Sequence, residues 1–285
     1  MAVTLSPRLA FHGFDRSVNP NWQMVPVGST RVMTVAGTRG LVPRVRDTSV
    51  LEAVQTTRGG TTTLTLTGKA AGRTWVEWVP SPTFVGAVQT GFTLEVSVKA
   101  EKKVRTAFHY VDDSRRQVTR RRVSDLSALI AAANAILTPQ ANVTLERKSA
   151  AALAIAQDLG RVVRFSSHLT GPPHSVPIAQ HEWDDMVTHA DATADFNVFF
   201  VREYEDDTTP LNDLADAGTL ASDKTCVFED RLDHSAGRVL AHETMHLLGF
   251  SGHSASRRHL IATGEHGLGR IINRDQANTI NPSGT

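Results

Sequence analysis

The segment "VLAHETMHLLGF", Val239 to Phe250, sets two imidazoles and a carboxylate into an apolar helical pattern. Burying such a trio is costly unless its members are paired or hold an ion. Any fold of this chain must therefore close around that helix in one of those two ways. His242 and His246 stand four residues apart, one turn above each other, so both rings can converge on one zinc ion. Glu243 lies beside the first ligand, where it reaches a zinc-bound water rather than the metal, the place of a general base. Two histidines leave such a site incomplete, since a catalytic zinc takes three protein ligands and keeps a fourth position open. His253, Glu265, and His259 or His266 are the candidates for the third.

Cys226 is the single cysteine, so neither a disulfide framework nor a multi-cysteine zinc site is available, and histidine must supply the metal chemistry. The 285 residues, 40% of them hydrophobic, suffice for two modest domains. A net charge of +1 gives no reason to expect nucleic acid as a partner. No apolar run approaches the roughly 18 residues of a membrane span. The opening "MAVTLSPRLAFHGFDRSVNP" lacks the charged and apolar regions of a secretory signal. Classical secretion is thus not expected, which leaves the cytoplasm or a specialised bacterial export route. Oligomeric state stays open.

Up to about residue 100 the pattern is that of strands. "RVMTV", "TTTLTLTG", "TWVEWV" and "FTLEVSV" alternate apolar and polar residues between turn-rich pieces such as "RGG" and "GKAAG", which favours a β-sandwich. Composition changes near Glu101, where "RTAFHYV" reads as the opening strand of a second domain. Arg115, Arg116, Arg120, Arg121 and Arg122 form a basic run, read as a solvated loop, with a site for an anionic partner as the alternative. Ser124 or Asp125 is placed to cap a helix through Leu126, Leu129, Ile130, Ala133 and Leu137, which Pro139 ends. "ANVTLERK" and "FNVFFVREY" read as strands, and a helix runs from Ser235 or Ala236 to about Leu248. His168, His174 and His181 lie in a Pro-rich stretch whose spacings match no standard zinc pattern.

Two resemblances attach to these residues. The stretch from Thr61 to Trp78 with the closing "FTLEVSV" resembles bacterial immunoglobulin-like repeats. Residues 242–253, spaced HExxHxxGxxGH, resemble the metzincins, zinc endopeptidases with the signature HExxHxxGxxH and a Met-containing turn. "VRTAFHYVDD", "LIAAANAIL", "ANVTLE", "FNVFFV" and "TCVFED" precede the motif in the order of that family's strands and helices. The third histidine comes one residue late, with Gly252 in its place and His253 next, and Ile261 stands where the turn carries methionine. A Glu at the distance of Glu265 resembles the gluzincins instead, although "ATGEHGLG" reads as a loop rather than a helix.

The resemblance implies an α+β chain. An all-β immunoglobulin-like sandwich over residues 1–100 would precede a metzincin-like α/β zincin domain over 101–285, with a mixed sheet and an active-site helix. It implies a zinc endopeptidase acting on peptide or protein substrates, with Zn2+ on His242, His246 and His253. A zinc-bound water would be the nucleophile and Glu243 the base. It also implies that Cys226 to Phe228 form the edge strand along which a substrate lies, and that Asp275 caps a helix or supports the site. The alternatives are a non-catalytic zinc-containing binding module and a gluzincin-type peptidase using Glu265. The first domain would target the protease or act as a spacer.

Overall fold

The computed structural model describes residues 3–83, 91–113, 118–156, 163–164, 186–202, 204–205, 217–230, 235–262 and 269–285. The chain is mixed α+β, with a β-rich N-terminal region and three helices among the described residues. None of these helices is long and apolar enough to cross a membrane. By contacts, the chain divides into two compact units. Unit 1 takes 1–102, 136–144 and 270–285, and unit 2 takes 103–135 and 145–269.

Unit 1 holds two sheets. In the first, β1 (Thr4–Pro7), β4 (Thr30–Ala36), β7 (Thr61–Gly68) and β6 (Leu51–Arg58) are neighbours in that order. In the second the order is β2 (Phe14–Asp15), β3 (Asn21–Pro26), β9 (Thr93–Lys99), β8 (Gly72–Pro80) and β5 (Leu41–Val45). The "GKAAG" piece thus carries the chain from β7 in one sheet to β8 in the other. Alternation along the strands gives each sheet one apolar face. Leu5, Met33, Val35, Leu64 and Leu66 meet Val25, Val76, Trp78, Leu94 and Val96 in a single core. Both buried indole N–H groups are satisfied: Trp78, in this core, donates to Gln55 Oε1 at 3.1 Å, and Trp22, on the other face of the second sheet, donates to Ser97 Oγ at 3.0 Å. The final helix, α3 (Arg274–Ile280), belongs to this unit. Its N-cap is Asn273, in a capping box with Gln276, whereas Asp275 lies exposed in the first turn.

Unit 2 is organised by a five-stranded sheet in the order β11 (Val143–Ala154), β10 (Lys102–Asp112), β13 (Phe196–Val201), β16 (Thr225–Glu229) and β15 (Ala217–Leu220). β10, β13 and β16 run parallel, and β15 pairs antiparallel to β16. Every residue of β13 and β16 is buried, the continuous apolar reading of a strand covered on both faces. β12 (Val163–Arg164) and β14 (Tyr204–Glu205) form a separate parallel pair, with β14 next to β16. A 3-10 turn, Val123–Asp125, leads into α1 (Leu126–Ala141), and no side chain caps that turn. Pro139 does not end α1; the helix closes two residues later, where Asn142 takes φ 53° and donates to Thr138 O at 3.0 Å. The helix carrying the HExxH residues is α2 (Ala236–Leu247). It approaches α1 closely, since a Cβ on Gly237 would fall 2.3 Å from Ala132 Cβ.

Candidate metal centre

The second histidine is fixed by the way α2 ends. Gly249 takes φ 98°, a left-handed conformation that glycine adopts without a Cβ penalty. Gly249 N donates to His246 O at 3.0 Å and Phe250 N to Met245 O at 3.1 Å, the two bonds of a Schellman turn. That turn delivers the Phe250 carbonyl to His246 Nδ1 at 2.8 Å. His242 Nδ1 has a matching partner in Leu260 O at 3.0 Å. A carbonyl oxygen only accepts, so both rings carry their proton on Nδ1 and, when neutral, turn a bare Nε2 the other way. Burial, with a smaller contribution from the His246 ring, holds the His242 imidazole down to about 3, so that ring stays neutral near pH 7.

The chain then reverses and brings His253 to the same point. His242 Nε2 lies 3.1 Å from His246 Nε2 and 3.3 Å from His253 Nε2, and His246 Nε2 lies 3.2 Å from His253 Nε2. Between His242 and His246, both bonded through Nδ1, the contact sets lone pair against lone pair when the rings are neutral, which is unfavourable without a cation between them. Tetrahedral zinc with bonds of about 2.0–2.1 Å would hold its nitrogens ~3.3–3.4 Å apart, close to this triangle. The donor set fits a borderline-soft divalent ion with one face left open. The loop that carries His253 is uncrowded at Gly252, where a Cβ would meet no described atom within 4 Å.

Glu243 is 5% exposed, and its charge adds to the burial that pushes the Cys226 thiol well above its ordinary value. His259 stays outside the trio and binds Ser254 Oγ through Nδ1 at 2.7 Å. Ile261 is fully buried, and its carbonyl accepts from Ser254 N at 2.8 Å, one residue beyond His253. Glu265 and His266 lie outside the described residues, as do Arg115, Arg116, His168, His174 and His181.

Two expectations are corrected. Cys226 to Phe228 do not form the sheet edge: β16 is covered by β15, with Thr219 opposite Cys226, so among the described residues β15 is the last strand, and α2 runs beside it. The basic run is not simply a solvated face either. Arg121 stacks over Phe228 and Phe200, at 4.7 and 5.4 Å, and donates to Glu229 O at 2.7 Å. Sequence reasoning missed Arg238, 6% exposed on α2, which bonds Gly269 O and Leu260 O. Its signal was a lone arginine on the apolar face of "GRVLAHE", one turn before His242.

No family model matches the chain, and no curated protein matches it. Among solved structures it is similar to a GspB Siglec domain, at 10% identity over 49% of this chain and 76% of that one. The TM-score of 0.24 is too low to assign a fold.

Proposed function

We propose that unit 2 is a zinc-dependent endopeptidase of metzincin type and that unit 1 is an immunoglobulin-like domain. The triangle of imidazole nitrogens on His242, His246 and His253 carries the reading: it suits three sites of a tetrahedral ion and leaves the fourth open. The position of Glu243 next to His242 adds to it, because a purely structural zinc site has no use for a buried carboxylate there. Zinc on these ligands would polarise a scissile carbonyl and lower the pKa of a coordinated water to about 7.

Glu243 then takes the proton of the attacking water and returns it to the leaving amine. The edge strand β15, alongside α2, offers backbone groups to an extended peptide, which would add as a further strand and align its amide bond with the open face. Ile261 fills, as packing, the place of the family's methionine. Two sheets over one core, with Trp78 buried in it, support the immunoglobulin-like reading of unit 1.

Metal content and cleavage of a quenched peptide library, measured for the wild type, His253→Ala and Glu243→Ala, test the proposal. Stoichiometric zinc is expected in the wild type and in Glu243→Ala, with cleavage lost by at least ~100-fold in the latter. His253→Ala is expected to lose both. Zinc retained by His253→Ala refutes the ligand set, and cleavage undiminished in Glu243→Ala refutes the mechanism. Bound zinc with no cleavage by the wild type favours the binding module.

A further inference from the structure

The carbonyl of Leu260 accepts two donors, His242 Nδ1 at 3.0 Å and Arg238 NH2 at 3.3 Å. Arg238 stands four residues before His242 on α2, hence on the same face, and is 6% exposed. Its Nε donates to Gly269 O at 3.1 Å. The two acceptors belong to segments that pass at close range, since a Cβ on Gly269 would fall 2.2 Å from His259 O and 2.4 Å from the Arg258 carbonyl carbon. The guanidinium therefore bridges this crossing from below, and one of the carbonyls it holds is the one that orients a metal-binding ring.

We infer that Arg238 is a positioning residue of the metal centre: by fixing the Leu260 carbonyl it keeps His242 protonated at Nδ1 with Nε2 turned toward His246 and His253. The inference rests on the metal-site reading above and adds to it what sets the ligand geometry. Burying a cation at this position is costly, and packing alone would be served better by an apolar side chain of similar length. A planar guanidinium presents its Nε and NH2 donors in a fixed fork, so it imposes one relative geometry on the two carbonyls, which a freely rotating ammonium does not. The effect extends to the third ligand. Ile261, next in the chain, holds Ser254 N through its carbonyl, and Ser254 follows His253. One side chain thus governs the backbone stretch that anchors both His242 and His253. Partners of this kind typically carry 10–100-fold in metal affinity.

The test uses the full chain. Zinc affinity by chelator competition and the visible absorption of the Co2+ form are measured for the wild type, Arg238→Lys and Arg238→Met, with circular dichroism to confirm the fold. Stoichiometric binding and a tetrahedral Co2+ spectrum are expected for the wild type. Both variants are expected to bind about 10–100-fold more weakly, with a changed Co2+ band. Variants that fold and keep the wild-type affinity and band overturn the inference alone. A wild type that binds no metal overturns the metal-site reading and this inference together. Should neither variant fold, the same two measurements on Arg238→Gln decide: weaker binding with a changed Co2+ band supports the assignment, and wild-type affinity and band overturn it.

Discussion

Lys99 ends a strand yet is fully buried, and its ammonium donates to the carbonyls of Asn281 at 2.5 Å and Ser283 at 2.9 Å. Burial lowers it from the ordinary 10.5 to about 8. An unfolded lysine titrates near 10.4. Between those values the unfolded chain binds more protons, so stability rises with pH; below about 8 both states are charged and the burial cost is fully present. The gap corresponds to ~3 kcal/mol at most. Urea unfolding at about pH 7.5 and about pH 9.5 should show this rise in the wild type and a flatter response in Lys99→Met. Equal slopes in the two proteins would refute the assignment. The contrast with the metal centre is instructive. The convergence of His242 and His246 was legible because a four-residue spacing on a helix brings two side chains to one face, and Gly249 announced the turn that returns His253. The Leu260 and Phe250 carbonyls that orient the rings were not, because a main-chain acceptor has no residue type to betray it.

For elements, the contact between α2 and α1 sets how the HExxH helix is seated. Glycine inside a helix ordinarily costs about 0.5–1 kcal/mol against alanine, so Gly237→Ala would stabilise a free-standing helix. Here the new Cβ would fall 2.3 Å from Ala132 Cβ, and overpacking of this kind costs about 1–3 kcal/mol. The sign therefore reverses. Gly237→Ala should lower the melting temperature, and adding Ala132→Gly should recover part of the loss; a variant melting above the wild type would contradict this packing. Periodicity was a sound guide to strands such as β7, β8 and β13 and to the body of α1, where burial imposes the repeat. It failed at ends and edges. Pro139 forfeits one hydrogen bond in a last turn that Asn142 still closes through Thr138, so the helix outlasts it. β16 was expected at the edge from the family resemblance alone, and nothing in its own apolar run says how many strands flank it.

At the scale of the molecule, the two units are interleaved in sequence, and the reason is a set of polar clamps inside unit 1. Gln140 binds Arg270 O at 2.7 Å and Ile272 N at 2.9 Å, and Asp15 Oδ2 accepts from Arg274 N at 3.0 Å. Lys102 donates to Ile280 O at 2.9 Å, while Asn281 Nδ2 donates to Ala100 O at 3.0 Å and to Ala141 O at 2.9 Å. The change of composition near Glu101 pointed to a boundary there but could not reveal that 270–285 returns across it. Each clamp joins residues far apart in the chain, and Lys99 or Lys102 taken singly reads as a solvated strand end. A fragment of residues 103–285 would strip the tail of Asp15, Lys99, Ala100 and Lys102 and leave buried backbone carbonyls unpaired, each at about 1–3 kcal/mol. Against the 5–15 kcal/mol that stabilises a typical domain, losing several such bonds together is decisive. That fragment is expected to lack a cooperative thermal transition and to bind zinc substoichiometrically, whereas the full chain is expected to unfold cooperatively and to bind zinc stoichiometrically. A fragment that unfolds cooperatively and carries full zinc would mean that the bonds of the tail to Asp15, Lys99, Ala100 and Lys102 are dispensable for folding the remainder, and the clamps would then serve the first unit alone.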